Sequence, residues 1–122
     1  MNSYVSTPYG DMSRKWKKEE LERVLTELEA AYALLNDGDS WVQGVNVRVN
    51  EDDCITGYCS VGAIQEVTGN GQEYYDVLLR FNQAMGQNFL VSTWNDDHGW
   101  EIIKKGWEKV IAETREELNA LG

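Results

Sequence analysis

Two long stretches with helical spacing of apolar residues, one near each end of the chain, constrain the fold most strongly. In the first stretch the apolar residues recur at intervals of three and four, and charged residues fill the other face. The same spacing runs from Trp100 to Leu121, about six helical turns, and predicts that Trp107 is buried. Each stripe needs another element to cover it, so the chain must pack helices around a shared core. The first stripe consists of Leu21, Val24, Leu25, Leu28, Ala31, Tyr32 and Leu35.

The middle of the chain changes to an alternation with period two. Val45, Val47 and Val49 are separated by polar residues, which is the pattern of a half-buried strand. The acidic turn at residues 50–53 and the apolar stretch after it complete a predicted hairpin. Because an isolated hairpin is only marginally stable in water, we expect the valine face to lie against the helices.

The remaining segments complete an α+β architecture. Shorter helices are predicted over residues 60–68 and 73–86, whereas FLVSTW at residues 89–94 fits either a strand or a helical turn. Residues 1–12 contain the only proline and no periodicity, which predicts a flexible N-terminal arm. Residues 13–122 are then a single α+β domain, a bundle of three to four helices with a β-hairpin packed on one side.

Charge is the strongest signal in the composition. Twenty-one Asp and Glu residues against eleven Lys and Arg give a net charge of −10 and a pI near 4.4. Nucleic acids and anionic membranes bind through cationic contacts, so neither is an expected direct partner. Residues 14–18 hold four of the eleven cations, and the segment 51–97 carries eight acids and one base. The expected partner is therefore a protein with a basic surface.

No segment of the sequence predicts a leader peptide, a membrane span or a cofactor site. The two cysteines, Cys54 and Cys59, fit neither a disulfide framework nor a zinc site, so we expect a cytoplasmic protein. The acidic run at residues 51–53 lacks the ligand spacing of an EF-hand. The glycines at 69–71 lack the phosphate-binding pattern of a P-loop. We therefore predict no metal and no cofactor.

Three short motifs carry a family resemblance. WVQG (41–44), YCSVGAI (58–64) and WNDDHG (94–99) resemble an uncharacterised family of small proteins from tailed phages and actinobacteria. Its members carry W-x-Q-G before a hairpin, then C-x-x-G-A-[LI], then W-N-D before a closing helix. The resemblance extends from about residue 25 to residue 112 and implies a shared scaffold and a phage origin. The family has no established activity to transfer.

One alternative is a cysteine-dependent hydrolase or transferase. Cys59 stands where an extended segment enters a helix, His98 could hold its thiolate, and Asp96 could orient the imidazole. Against this, acidic surroundings raise the pKa of a thiol, and free cysteines are commonly buried. The family pattern also has no fixed histidine at position 98. We favour a cysteine packed in the core.

A second alternative is a small-ligand or nucleotide-binding site. Trp41 and Gln43, together with Trp94, Asn95 and Asp96, could form a polar-rimmed pocket for a planar ligand. The structural interpretation is that Asn95 or Asp96 caps the last helix, while the two indoles fill the core. We favour the structural interpretation.

The leading hypothesis is a small acidic phage accessory protein. It would bind a host protein, such as a defence or nucleic-acid-handling factor, and modulate or inhibit it without catalysis. Acidic residues would steer the partner, and tyrosines would supply affinity. The first and last helices could pack within one chain or between two copies, so a homodimer stays open. The predicted partner-binding residues are Glu51, Asp52, Asp53, Glu66, Glu73, Asp76, Tyr58, Tyr74 and Tyr75.

Overall fold

The computed structural model describes residues 6–122, which form five helices and two antiparallel hairpins. This confirms the α+β class. The described part of the chain has one helix more than the predicted upper count, and a second hairpin. The elements are β1 (Ser6–Thr7), β2 (Gly10–Asp11), α1 (Lys18–Leu34), β3 (Val47–Val49), β4 (Ile55–Tyr58), α2 (Ser60–Thr68), α3 (Gln72–Met85), α4 (Val91–Asp97) and α5 (Trp100–Leu121).

The core lies where the two long helices meet the shorter ones. Helix α1 packs against α2 and α5, and α3 packs against α5. Trp107 is fully buried, as the stripe on α5 predicts. Its ring stacks on Tyr32 and meets Phe81 edge-on, at centroid distances of 5.7 and 5.0 Å. Large aromatic rings therefore supply much of the burial in this short chain.

Residues 89–94, which the sequence left between strand and helix, lead into α4. The helix begins at Val91 and buries Trp94 and Asn95. Gly106 on α5 allows this packing, because a Cβ there would lie 2.3 Å from the Trp94 ring. Helix α4 is thus held directly against the closing helix.

Residues 6–11, inside the predicted arm, pair as the hairpin β1–β2, which the sequence did not indicate. Gly10 lies close to the Leu79 side chain, and Tyr9 stacks on Tyr75 with ring centroids 6.2 Å apart. Residues 1–5 of the predicted arm lie outside the described residues. The flexibility of residues 1–12 and the boundary of a single domain at residue 13 stay predictions.

The predicted central hairpin is present, but its valine face is not covered by the helices. Val45, Val47 and Val49 are 54%, 38% and 53% exposed, so the expectation that they pack on the bundle is wrong. The hairpin is held by its base instead, because Tyr58 exchanges backbone hydrogen bonds with Ser40 and Val42. These bonds fix β4 without any contact to the valine side chains.

Candidate functional site

The three sequence motifs meet at the side chain of Asn95. This amide is completely buried. Its Oδ1 accepts hydrogen bonds from Trp41 Nε1 at 2.7 Å, and from the backbone nitrogen and Oγ of Ser60 at 2.9 and 2.8 Å. Its Nδ2 donates to the Val42 carbonyl oxygen at 3.0 Å. One amide therefore joins the WVQG segment, the start of α2 and helix α4.

The closing helix joins the same network through Ser60. The Trp107 indole Nε1 donates to Ser60 Oγ at 3.0 Å, while that hydroxyl donates to Asn95. We call the set Trp41, Ser60, Asn95 and Trp107 the Asn95 hub. Since Ser60, Asn95 and Trp107 are buried, the hub is a connected polar network in which each polar group has a partner.

Gln43 donates hydrogen bonds to backbone carbonyl groups at the C-terminal end of helix α4. Its Nε2 donates to the carbonyl oxygens of Asn95, Asp96 and His98 at 3.1, 3.3 and 2.7 Å. Carbonyl groups at a helix C-terminus have no partner within the helix, so this side chain acts as a cap. The backbone nitrogen of Gly44 in turn donates to Asp96 Oδ1 at 2.9 Å.

The prediction that Asn95 or Asp96 caps the last helix is wrong. The residue at the N-cap of α5 is Gly99, and both predicted residues lie inside α4. Their side chains point instead to the WVQG segment. The caps were misassigned because the sequence does not show the short helix that uses these residues.

Four of the five proposed ligand-binding residues do come together: Trp41, Gln43, Asn95 and Asp96. Trp41 Nε1, Gln43 Nε2, both polar side-chain atoms of Asn95 and Asp96 Oδ1 are bonded to one another or to the backbone. The Trp94 ring lies apart from them, against Phe81 and Phe89. This arrangement is that of a structural junction more than that of an open pocket.

Cys59 is buried at the N-cap of α2, with 4% of its surface exposed. Its Sγ accepts from the Gly62 backbone nitrogen at 3.3 Å. Burial raises the pKa of the Cys59 thiol, the hydrogen bond from Gly62 opposes this, and the charge of Asp96 adds to it. A thiol in this environment stays protonated at neutral pH and is a weak nucleophile.

His98 is occupied elsewhere. Its Nδ1 lies 2.9 Å from the Trp94 carbonyl oxygen. Within residues 6–122 no hydrogen bond joins the His98 ring to the Cys59 thiol. The geometry of a thiol–imidazole pair, in which the base contacts the nucleophile, is not formed here.

Gly62 explains why the cysteine motif needs a small residue three positions on. A Cβ at Gly62 would lie 2.0 Å from the Asn46 carbonyl oxygen, the same oxygen that accepts from the Cys59 backbone nitrogen. The first turn of α2 and the base of the hairpin therefore touch backbone to backbone.

The predicted partner-binding acids are placed in different environments. Glu51, Asp52 and Asp53 are exposed in the turn between β3 and β4, and we call these three residues the acidic tip. Glu66 is exposed on α2 and accepts a hydrogen bond from the Tyr58 hydroxyl at 3.2 Å. These four acids are available to a partner.

Asp76 is not available to a partner, and the prediction that it faces a partner is wrong. It is 2% exposed and pairs with Arg14 at 2.7 Å and with Arg23. Burial raises the pKa of Asp76, but hydrogen bonds from Gln72, Arg14 and Arg23 outweigh this effect and hold it below its ordinary value. Glu73 lies 3.6 Å from Arg23, so part of its charge is also compensated. The carboxylate of Asp76 fastens the basic segment at residues 14–18 to the bundle.

The three predicted tyrosines differ in exposure. Tyr75 is 43% exposed, whereas Tyr58 and Tyr74 are half-buried against the core. The most exposed apolar side chains near the acidic tip are those of the hairpin itself. Ile55 is 45% exposed beside the valines.

A groove of about 240 Å³ lies between the hairpin and helix α2. Val47, Ile55 and Tyr58 form its apolar side, and Gln65 and Glu66 line it from α2. We call it the hairpin groove. The alternating pattern of β3 indicates one apolar face, but only the fold shows that this face is left open to solvent.

A protein family described as a family of unknown function (DUF6197) matches residues 19–113, well over half of the chain. The chain belongs to this family. The DUF6197 match includes the Asn95 hub, Cys59 and the hairpin, and it begins after the basic segment at residues 14–18. No curated protein and no solved structure matches the chain.

Two further observations on this DUF6197 chain concern metal binding and membrane-spanning helices. In residues 6–122, no three His, Cys, Asp or Glu side chains are grouped so that they could hold a metal ion. No helix in the same range is both long and apolar enough to span a membrane.

Proposed function

We propose that this protein is a non-catalytic phage accessory protein that binds a host protein with a basic surface, in the host cytoplasm, and modulates or inhibits it. The observation that carries the proposal is the hairpin: exposed valine and isoleucine side chains stand beside the acidic tip. A contiguous exposed apolar surface rimmed by charges is typical of a protein-binding site. The phage origin rests on the resemblance of the three motifs.

The two parts of this surface supply different components of binding. The net charge of −10 and the acidic tip attract a basic partner over a distance of about one Debye length, roughly 8–10 Å at physiological salt. This raises the association rate and orients the partner. Val47 and Ile55, which lose solvent contact on docking, supply the affinity.

The geometry supports the two alternative functions less well. Cys59 is buried with a raised pKa and without a bond to His98. Trp41 Nε1, Gln43 Nε2 and both polar side-chain atoms of Asn95 are hydrogen-bonded within the protein. An enzyme or a ligand site at these positions would require rearrangement of the Asn95 hub.

The test is affinity capture of basic proteins from host lysate with a charge-matched pair of variants. The first variant replaces Glu51, Asp52 and Asp53 by Lys. The control replaces the exposed acids Glu22, Glu108 and Glu116 by Lys and so changes the net charge equally. We expect capture to fall at least about tenfold in the first variant, to fall with added salt, and to persist in the control. Equal loss in both variants, or no capture by the unchanged protein, would contradict the proposal.

A further inference from the structure

The hairpin sheet has one open edge, and it belongs to strand β3. The outer side of β4 is occupied at its last residue, because Tyr58 exchanges backbone hydrogen bonds with Ser40 and Val42. In the described part of the chain β3 pairs with β4 alone. An uninterrupted edge for a third strand is therefore offered beside β3.

The backbone of β3 is oriented to receive such a strand. The Asn46 carbonyl oxygen accepts from the Cys59 nitrogen, and the Asn50 nitrogen donates to the Cys54 carbonyl oxygen. Residues 46, 48 and 50 thus direct their backbone groups toward β4. In an antiparallel pair the residues between them point the other way, so Val47 and Val49 offer theirs to the open side.

Strand β3 is short, with three residues, but it carries no lysine and no proline to block pairing at its open edge. Natural edge strands carry lysine, proline or a bulge that prevents pairing with other chains. Here the irregularity in pairing is between Arg48 and Val49, opposite Thr56 of β4. The Arg48 guanidinium is bonded back to Thr56. Strand β3 itself carries two exposed valines, Val47 and Val49.

We propose that the edge of β3 binds an extended segment of the partner protein as a third strand. In this segment apolar and basic side chains alternate. The inference rests on the proposed function and specifies how the partner is recognised. Main-chain hydrogen bonds to Val47 and Val49 supply the pairing, and alternate side chains supply selectivity. Apolar side chains of the segment contact the exposed valine face, and basic ones reach the acidic tip at the end of the hairpin.

Charge argues for a basic segment of another protein over a second copy of this chain. A second copy would bring a net charge of −10 and its own acidic tip to a surface that is already acidic. Like charges at an interface disfavour association, whereas a basic segment is attracted. The expected occupant is therefore a basic, extended segment.

The first test uses the unchanged protein and a short synthetic peptide of alternating lysine and valine. The matched control is the same peptide with N-methyl groups on the alternate residues whose N–H groups would pair with β3. In an NMR titration we expect amide shifts centred on residues 45–49, and an affinity at least about tenfold lower for the N-methylated peptide. Shifts confined to residues 51–53, with equal affinities, would overturn edge pairing and leave the proposed function intact.

The second test uses variants of Val47, whose N–H points to the open side. Val47→Pro removes this donor and no hydrogen bond of the hairpin, while Val47→Thr keeps the donor and the branched shape. We expect only the proline variant to lose peptide binding, with the near-ultraviolet circular dichroism of the buried tryptophans unchanged in both. Equal peptide affinity in the two variants would overturn the inference. Sedimentation of a dimer that Val47→Pro dissociates would assign the edge to a second copy instead.

Discussion

A single amide determines how the three sequence motifs are arranged. Asn95 is fully buried and uses both atoms of its side chain, with Oδ1 serving Trp41 and Ser60 and Nδ2 serving Val42. No apolar residue can replace these bonds. Removing the amide would leave buried donors without partners, which costs more than the bonds themselves contribute.

We therefore predict that Asn95→Ala lowers the free energy of unfolding by at least about 3 kcal/mol, measured by urea denaturation. The control is Asn119→Ala, which removes an exposed asparagine side chain from α5 and should change stability by less than about 0.5 kcal/mol. A loss in Asn95→Ala as small as that in the control would show that the hub does not hold the motifs together.

Glu27 is a buried carboxyl with incomplete pairing. It is 9% exposed, and its Oε1 lies 3.8 Å from Arg23 Nε without a hydrogen bond. Its pKa is raised from 4.5 to about 6: burial is the largest cause, Arg23 lowers the pKa, and the charges of Glu73 and Asp76 raise it. Between these two values the folded protein keeps a proton that the unfolded chain has lost. The contribution of Glu27 to the free energy of unfolding is therefore present below pH 4.5 and is lost as the pH rises through 6.

Replacing Glu27 by Gln removes this titration. Relative to the unchanged protein, Glu27→Gln should gain about 1–2 kcal/mol of stability between pH 4.5 and pH 7. Urea denaturation across this range measures the difference, and Glu22→Gln, an exposed position on the same helix, serves as control. A difference that is independent of pH, or that falls as the pH rises, would rule out a raised pKa for Glu27.

Among the elements, helix α5 shows most clearly how periodicity determines burial. Trp107 and Ile103 are fully buried, whereas Ile102 on the other face is 52% exposed. Trp107→Ala should cost about 3–5 kcal/mol, because it leaves a cavity beside Tyr32 and Phe81 and frees the Ser60 hydroxyl. Ile102→Ala should cost less than about 1 kcal/mol. Thermal or urea unfolding of the two variants compares the faces, and similar losses would contradict this packing.

Elements with a strong period could be predicted from the sequence, and contacts between elements could not. The stripes of α1 and α5 and the alternation in β3 follow from local spacing. That spacing gives the apolar face of β3 but not whether anything covers it. Asp76 has the same local pattern as a solvated acid, and its burial depends on Arg14 and Arg23, which are distant in sequence.

In the candidate site, too, one part could be predicted from the sequence and another could not. The motifs containing Trp41, Cys59 and Asn95 were recognised as a group, and the structure brings them together. The direction of their bonds was not predictable, because Gln43 caps a helix that the sequence did not distinguish from a strand. The open edge of β3 cannot be predicted from the sequence, because a strand pattern does not show how many neighbouring strands there are.

At the scale of the whole molecule, the burial of Cys59 in the core bears on whether the protein can be a cysteine-dependent enzyme. Cys59 lies at the start of α2, next to the Asn95 hub and against the hairpin base, and 4% of its surface is exposed, so we expect a reagent to reach it only when the structure opens. Cys54, by contrast, is an exposed thiol in the hairpin turn. The reaction rate of Cys54 therefore reports the reactivity of a surface thiol, and that of Cys59 reports opening of the structure.

We predict that a thiol reagent modifies Cys54 at once in the native protein and Cys59 at least about a hundredfold more slowly. The Cys54→Ser variant isolates the second reaction, whose rate should rise with urea in parallel with global unfolding, because burial both shields Cys59 and keeps its thiol protonated. Peptide mass spectrometry assigns the labelled residue. Rapid labelling of Cys59 without urea would mean that the thiol is reached in the folded state, and it would favour the cysteine-dependent enzyme over the binding protein proposed here.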